Sequence, residues 1–253
     1  DLDHTVINSD GTMSDATRTV IEQAIAEGIE IIPVSGRAFA TFPESIGQIK
    51  GISYAVTSNG AAIYNKKTGE RIHGVAIEYA DLHSILDAFA HYFHNGQITY
   101  EAFVDGVAYG GREYVEHPKA FGVPERNVAY VQSTRKSVDD IIAFLSEHEE
   151  ELDSLDIVAA DTALYQKIEE QIPLVTKSVY TTSAVSYRLE ISNKNSGKAT
   201  GLAYVLKLLD ITPEETVAFG DGDNDAEMLE FAGLGVAMEN ATENCKAAAD
   251  IVC

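Results

Sequence analysis

Two stretches in which an amphipathic helix runs straight into an apolar strand constrain this chain more than any other feature. Ser14 sits where a helix N-cap belongs, Val20, Ile21, Ala24 and Ile25 recur at helical spacing, and Gly28 stands where a helix end wants glycine. The run Ile29-Glu30-Ile31-Ile32-Pro33-Val34 follows at once, reads as a buried strand, and ends at Ser35-Gly36-Arg37. Near the other end residues 201–209 have a helical pattern, 216–219 read as a strand, 226–231 as a helix, and 235–238 are apolar again. Strands alternating with helices predict an α/β fold with a doubly wound, Rossmann-like parallel sheet. Residues 54–57 add a short strand ending at Ser58-Asn59-Gly60, and residues 61–64 with a turn near Lys67-Thr68-Gly69 suggest a hairpin. Ligands of such sheets bind beyond the carboxyl ends of the strands, so Asp3, Ser35, Ser58 and Asp221 are expected on one rim.

The middle third has a different texture. Residues 81–94 and 138–145 are helical in spacing, residues 97–108 are β-like around Asp105-Gly106, and the turn signals come closer together. This predicts an inserted α+β domain at 80–184, within a core formed by residues 1–79 and 185–253, the chain rejoining the main sheet at 187–191. No repeat or low-complexity tract interrupts the pattern.

Charge narrows the partners. Eighteen Lys and Arg against 40 Asp and Glu give a formal charge of -22, which repels nucleic acid and anionic membrane surfaces. The same field repels phosphorylated small molecules, so phosphate chemistry here requires a local cation. The two cysteines, Cys245 and Cys253, form no zinc-ligand pattern, and there is neither a spanning apolar run nor a signal segment, so a cytoplasmic protein without structural disulfides is expected. Oligomeric state has no signature in the sequence. Because the chain opens on Asp1 with no apolar run before it and stops at Val252-Cys253, further residues are expected on both sides.

Asp1 and Asp3, two apart, point to one side if a strand carries them, and carboxylates that close share a proton or a metal. Taken alone the pair is also what a solvated strand end looks like. Gly220-Asp221-Gly222-Asp223-Asn224-Asp225 packs hard oxygen ligands, of the kind magnesium takes, behind an apolar strand. A calcium loop would need Gly and Glu where Ala226 and Ala232 stand, while Asp225 is also placed to cap a helix. Ser35, Gly36 and Arg37 offer a hydroxyl and amides where a helix begins, a ready anion site. Lys198, in Asn195-Ser196-Gly197-Lys198 ahead of a helix, is a candidate for the required cation, with Lys194 competing.

In this order, D-x-D-x-T, Ser-Gly-Arg, a lysine and G-D-x-x-N-D resemble the haloacid dehalogenase-like phosphatase superfamily. Residues 56–61, 188–198, 218–229 and 235–241 are similar to its Cof-type branch. The resemblance implies a magnesium-dependent phosphatase of small phosphorylated metabolites, such as sugar phosphates or phosphorylated cofactors, working through an aspartyl-phosphate. It makes Asp1 the nucleophile and Asp3 the acid and then the base. Asp1, Asp221 and the Asp3 carbonyl become Mg2+ ligands, and Ser35, Gly36, Lys198 and Asn224 bind the phosphoryl oxygens. Thr5 and Asp225 support the site, Arg37, Asn59 and Gly60 belong to a substrate loop, and the inserted domain is a cap that selects the substrate. A phosphomutase or phosphotransferase on the same scaffold, or a non-catalytic metabolite-binding protein, is the alternative. One departure stands out, since His4 occupies the usual Gly of D-x-D-G-T.

Overall fold

Ser14 caps the first helix as expected: its hydroxyl accepts the Thr17 amide at 3.0 Å, the helix runs Asp15–Ala26, and Gly28 turns the chain out at φ +88°. The structure, a computed structural model, describes residues 1–253 apart from the side chain of Ala184. It divides into two units, Asp1–Gly74 with Ser196–Cys253, and Val75–Asn195. These bounds differ from the expected ones at 79/80 and 184/185.

In the first unit Val217–Gly220, Leu234–Ala237 and Ile251–Val252 form a parallel ladder, and Tyr54–Thr57, Ala62–Asn65 and Arg71–Gly74 an antiparallel one. The Lys198–Leu209 and Ala226–Phe231 helices bury Leu202, Val205, Met228 and Leu229 with Val34, Val56 and Ile63. At about 1.5–3 kcal/mol for each large apolar side chain removed from water, this cluster holds the strand ends in place. The α/β class with a parallel sheet is therefore the one expected.

Three local expectations need correction. Residues 29–34 are not a full strand, for only Val34 pairs, with Val56, and Pro33 has no N–H to give a ladder. Asp1 and Asp3 are not consecutive positions of a strand either. Asp3 makes an isolated bridge to Ile7 because the chain doubles back there, the Val6 and Ile7 amides both reaching the Leu2 carbonyl. Residues 187–191 do not rejoin the main sheet: Arg188–Asn193 lies between Leu152–Ala159 and Val179–Val185 in the sheet of the second unit.

That second sheet has the strand order Arg135–Val138, Val107–Gly111, Ile98–Val104, Leu152–Ala159, Arg188–Asn193, Val179–Val185. The Tyr79–His94 and Thr162–Val175 helices bury Leu82, Ile85, Phe89 and Ile168 against it. Val138 closes a strand rather than opening a helix, and Asp140 caps Ile141–Glu147 by accepting the Ile142 and Ala143 amides. Glu101, fully buried, takes the Arg135 fork at 2.9 and 2.8 Å and the Tyr114 hydroxyl at 2.5 Å. Burial opposes its charge, but Arg135 and Arg188 outweigh it and hold the carboxyl at about 2.

Among the described residues no helix is long and apolar enough to cross a membrane.

Candidate active site

The site is assembled in the first unit, where turns from distant parts of the chain meet. The Asp1 amine donates to the Phe219 carbonyl at 2.7 Å, which ties the first residue to the strand ending at Gly220. Asp221 comes next in sequence, and the turn after it is closed by Asp225, whose Oδ2 accepts the Asp221 and Gly222 amides at 3.1 and 3.0 Å. Its other oxygen accepts Lys198 Nζ at 2.7 Å, and the same ammonium donates to Asp1 Oδ1 at 2.7 Å. Asp225 thus braces the turn and the lysine at once instead of capping the helix that follows it.

Lys198 is 3% exposed and opens the Lys198–Leu209 helix, whereas Lys194 is exposed and belongs to the other unit. Lys198 is the lysine that the first unit itself brings to the acids. Burial pushes the Asp225 carboxyl up, but the Lys198 charge and hydrogen bond prevail and hold it below the usual range. Asp221 goes the other way: burial raises it, the Thr5 hydroxyl at 2.9 Å pulls down, and the Asp225 charge adds to the rise.

Carboxylate oxygens of Asp1, Asp221 and Asp225 lie within 4.8 Å of one another. Three carboxylates and one ammonium sum to -2 when ionised, and hard oxygen donors in that number suit a magnesium ion. Asp225 already spends both oxygens on Lys198 and two amides, so Asp1 and Asp221 are the donors best fitted to a cation.

Asp3 faces elsewhere. Arg37 grips it with Nε to Oδ2 at 2.7 Å and Nη2 to Oδ1 at 2.6 Å. Burial raises the Asp3 carboxyl, yet the guanidinium's hydrogen bonds and charge bring it below the ordinary carboxylate range. No helix begins at Ser35-Gly36-Arg37, contrary to expectation; a 3₁₀ turn, Phe39–Thr41, follows instead. The reason is local, because the Ser35 and Arg37 carbonyls that would start a helix accept the Asn59 and Ser58 amides. Ser35 is buried and its Oγ accepts the Arg37 amide at 3.2 Å.

Ser58 and Asn59 are left-handed at φ +49° and +51°, a conformation stored where the surrounding structure enforces it. Asn59 Oδ1 then accepts Asn224 Nδ2 at 2.9 Å, joining the two motifs, while Gly60 lies against the Gly197 carbonyl just ahead of Lys198. His4, too, is left-handed at φ +60°, which explains the glycine that usually stands there. Sequence reasoning missed Asn240, which donates to Asp221 Oδ2 at 3.2 Å, and Thr242, which donates to Asp223 at 2.6 Å. Their signal, an Asn and a Thr just past an apolar strand, is indistinguishable from an ordinary polar turn.

Comparison with known proteins points in one direction. The family model of haloacid dehalogenase-like hydrolases matches residues 1–253. Phosphatase YwpJ of Bacillus subtilis is 30% identical over 276 residues, covering 100% of this chain and 92% of that one. The 5-amino-6-(5-phospho-D-ribitylamino)uracil phosphatase YcsE of the same organism is 25% identical, over 100% of this chain and 87% of its own. A solved haloacid dehalogenase-like hydrolase from B. subtilis superposes with a TM-score of 0.79 at 27% identity, covering 99% of this chain and 92% of that one.

Proposed function

The chain belongs to the haloacid dehalogenase-like hydrolases and is an enzyme acting on phosphate esters, and from that premise we propose a magnesium-dependent phosphatase of small phosphorylated metabolites that works through an aspartyl-phosphate on Asp1. The observation that carries this reading is Lys198 Nζ, buried and bonded at 2.7 Å to both Asp1 and Asp225 beside Asp221. It supplies the local cation that phosphate chemistry requires in a chain of formal charge -22.

In the proposed sequence an Asp1 oxygen attacks phosphorus while the bond from phosphorus to the ester oxygen breaks, and Asp3, which must enter the cycle protonated against the pull of Arg37, gives that oxygen its proton. Asp3, now ionised, takes a proton from water. The hydroxide attacks phosphorus, the bond to Asp1 breaks, and inorganic phosphate leaves with both carboxyls restored. Lys198, Asn224, Ser35 and the Gly36 amide neutralise and orient the phosphoryl oxygens. Asp1, Asp221 and the Asp3 carbonyl would hold Mg2+, which supplies electrostatic stabilisation of the charge on the transferring group. Asp225 keeps Lys198 in place, and Thr5 orients Asp221. Choice among substrates such as sugar phosphates and phosphorylated cofactors is assigned to the inserted Val75–Asn195 unit.

Release of inorganic phosphate from a panel of phosphorylated metabolites, with magnesium present and after chelation, tests the proposal. Magnesium-dependent release without any acceptor is expected. Turnover untouched by chelation, or transfer of the phosphoryl group to an added acceptor sugar with no release of inorganic phosphate, would contradict it.

A further inference from the structure

Arg37 is tied down at three points. Nε and Nη2 hold both oxygens of Asp3, at 2.7 and 2.6 Å, and Nη1 donates to the Thr41 carbonyl at 3.0 Å. Its backbone is fixed as well, the amide by Ser35 Oγ at 3.2 Å and the carbonyl by the Ser58 amide at 3.0 Å. A planar fork on a carboxylate sets both the position and the plane of that carboxylate, which a single ammonium cannot do. The Arg37 side chain is 17% exposed and that of Asp3 41%, so the arginine backs one side of the carboxylate and leaves the other within reach of a ligand.

We propose that Arg37 is a positioning residue for the hydrolysis, holding the Asp3 carboxyl in the orientation from which it serves the ester oxygen. This rests on the reading of Asp3 as the group that protonates the leaving oxygen. It separates Arg37 from the phosphoryl-binding residues: its Nε, Nη1 and Nη2 each donate to the protein, and its influence on the reaction passes through Asp3. Without the fork the short Asp3 side chain is free to rotate about its own bonds, and a misplacement on the order of 1 Å is worth up to about 10²-fold in rate. In the transfer to Asp1, which kcat/KM reports, the loss falls on substrates whose leaving oxygen needs a proton and spares those whose leaving group departs unaided; the later attack of water is common to all substrates and slows for both.

The test compares wild type, Arg37→Met, Asp3→Asn and the double variant on 4-nitrophenyl phosphate, a good leaving group, and on a primary alkyl phosphate, a poor one, with magnesium. Each variant is first checked for folding by circular dichroism. Arg37→Met is expected to lower kcat/KM on the alkyl ester by ~10- to 10²-fold and to leave kcat/KM on the aryl ester within a few-fold. Asp3→Asn should show the same discrimination more strongly, and the double variant should be no slower than Asp3→Asn alone. Arg37→Lys, which keeps the charge without the fork and guards against a folding defect in the Met variant, should retain the discrimination. An equal fall in kcat/KM on both esters by Arg37→Met, or losses in kcat/KM that multiply in the double variant, overturns the positioning role while leaving Asp3 as the acid. An equal fall in kcat/KM on both esters by Asp3→Asn itself overturns the acid assignment and the positioning role with it.

Discussion

Gly60→Ala tests the packing that places Lys198. At Gly60, φ is +89°, and a Cβ there would lie 2.0 Å from the Gly197 carbonyl oxygen and 3.0 Å from the Gly197 nitrogen. Real Cβ contacts do not fall below 3.0 Å, so the Gly197 carbonyl must retreat by at least 1.0 Å, the difference between the two figures. Gly197 immediately precedes Lys198, whose ammonium spans Asp1 and Asp225 at 2.7 Å each, so the retreat is passed to the lysine. A left-handed non-glycine residue costs about 1–2 kcal/mol, and overpacking against backbone adds about 1–3. A stiffer unfolded chain returns about 0.4–1. The expected loss of stability is therefore roughly 1–5 kcal/mol, with a fall in kcat/KM of up to about 10²-fold for a 1 Å displacement. Gly69→Ala is the control, since Gly69 has φ +73° and nothing within 4 Å of its Cβ position, so it bears the conformational cost alone. Urea unfolding and steady-state kinetics on both variants read the two effects. A Gly60→Ala protein as stable as Gly69→Ala, with near wild-type kcat/KM, would refute the argument that Gly60 exists to let Gly197 and Lys198 approach.

Lys198→Met should abolish measurable turnover and Lys194→Ala should leave kcat/KM within about twofold, because the charge of an exposed lysine is screened by solvent; the reverse order, in the same kinetic assay, would move the phosphate-binding lysine to position 194. Arg135→Met should destabilise the Val75–Asn195 unit by about 3–5 kcal/mol by leaving Glu101 buried without its fork, read as lost hydrogen-exchange protection in the Ile98–Val104 strand. Glu101 has its folded value held down to about 2 from 4.5, so its contribution is complete above pH 4.5 and is lost as pH falls toward 2. Asp156, which burial holds well above its ordinary range, works in the opposite sense and softens that slope. Wild-type protection that falls through this window, and a much flatter profile in Arg135→Met, is the expected pair; identical profiles would exclude the Glu101 pair as their cause.

What was legible in the sequence was local. The Ser14 cap and Gly28 bound the first helix because capping and left-handed turns act over a few residues. The acids around Asp221 could be read as a cluster because they are neighbours in sequence. The strand at 188–193 was assigned to the wrong sheet because a strand buried on both faces has the same pattern in either. The fork of Arg37 on Asp3 spans 34 positions, and the link from Asn59 to Asn224 spans 165, separations over which composition and spacing carry no information. The resemblance puts Arg37 in a substrate loop, and the fork of its guanidinium on Asp3 is visible only in the structure. His4 shows the converse: a departure from the usual glycine was visible in the sequence, but its meaning, a left-handed residue at the turn after Asp3, needed the backbone.

The central claim is that the phosphoryl group passes through Asp1. Rapid acid quench of the enzyme during turnover of a 4-nitrophenyl phosphate substrate with magnesium, followed by peptide mass spectrometry, tests it directly. The expected result is a phosphoryl adduct on the peptide containing Asp1, absent from an Asp1→Asn protein that folds but does not turn over. An adduct on another residue, or sustained turnover by Asp1→Asn, would contradict the account.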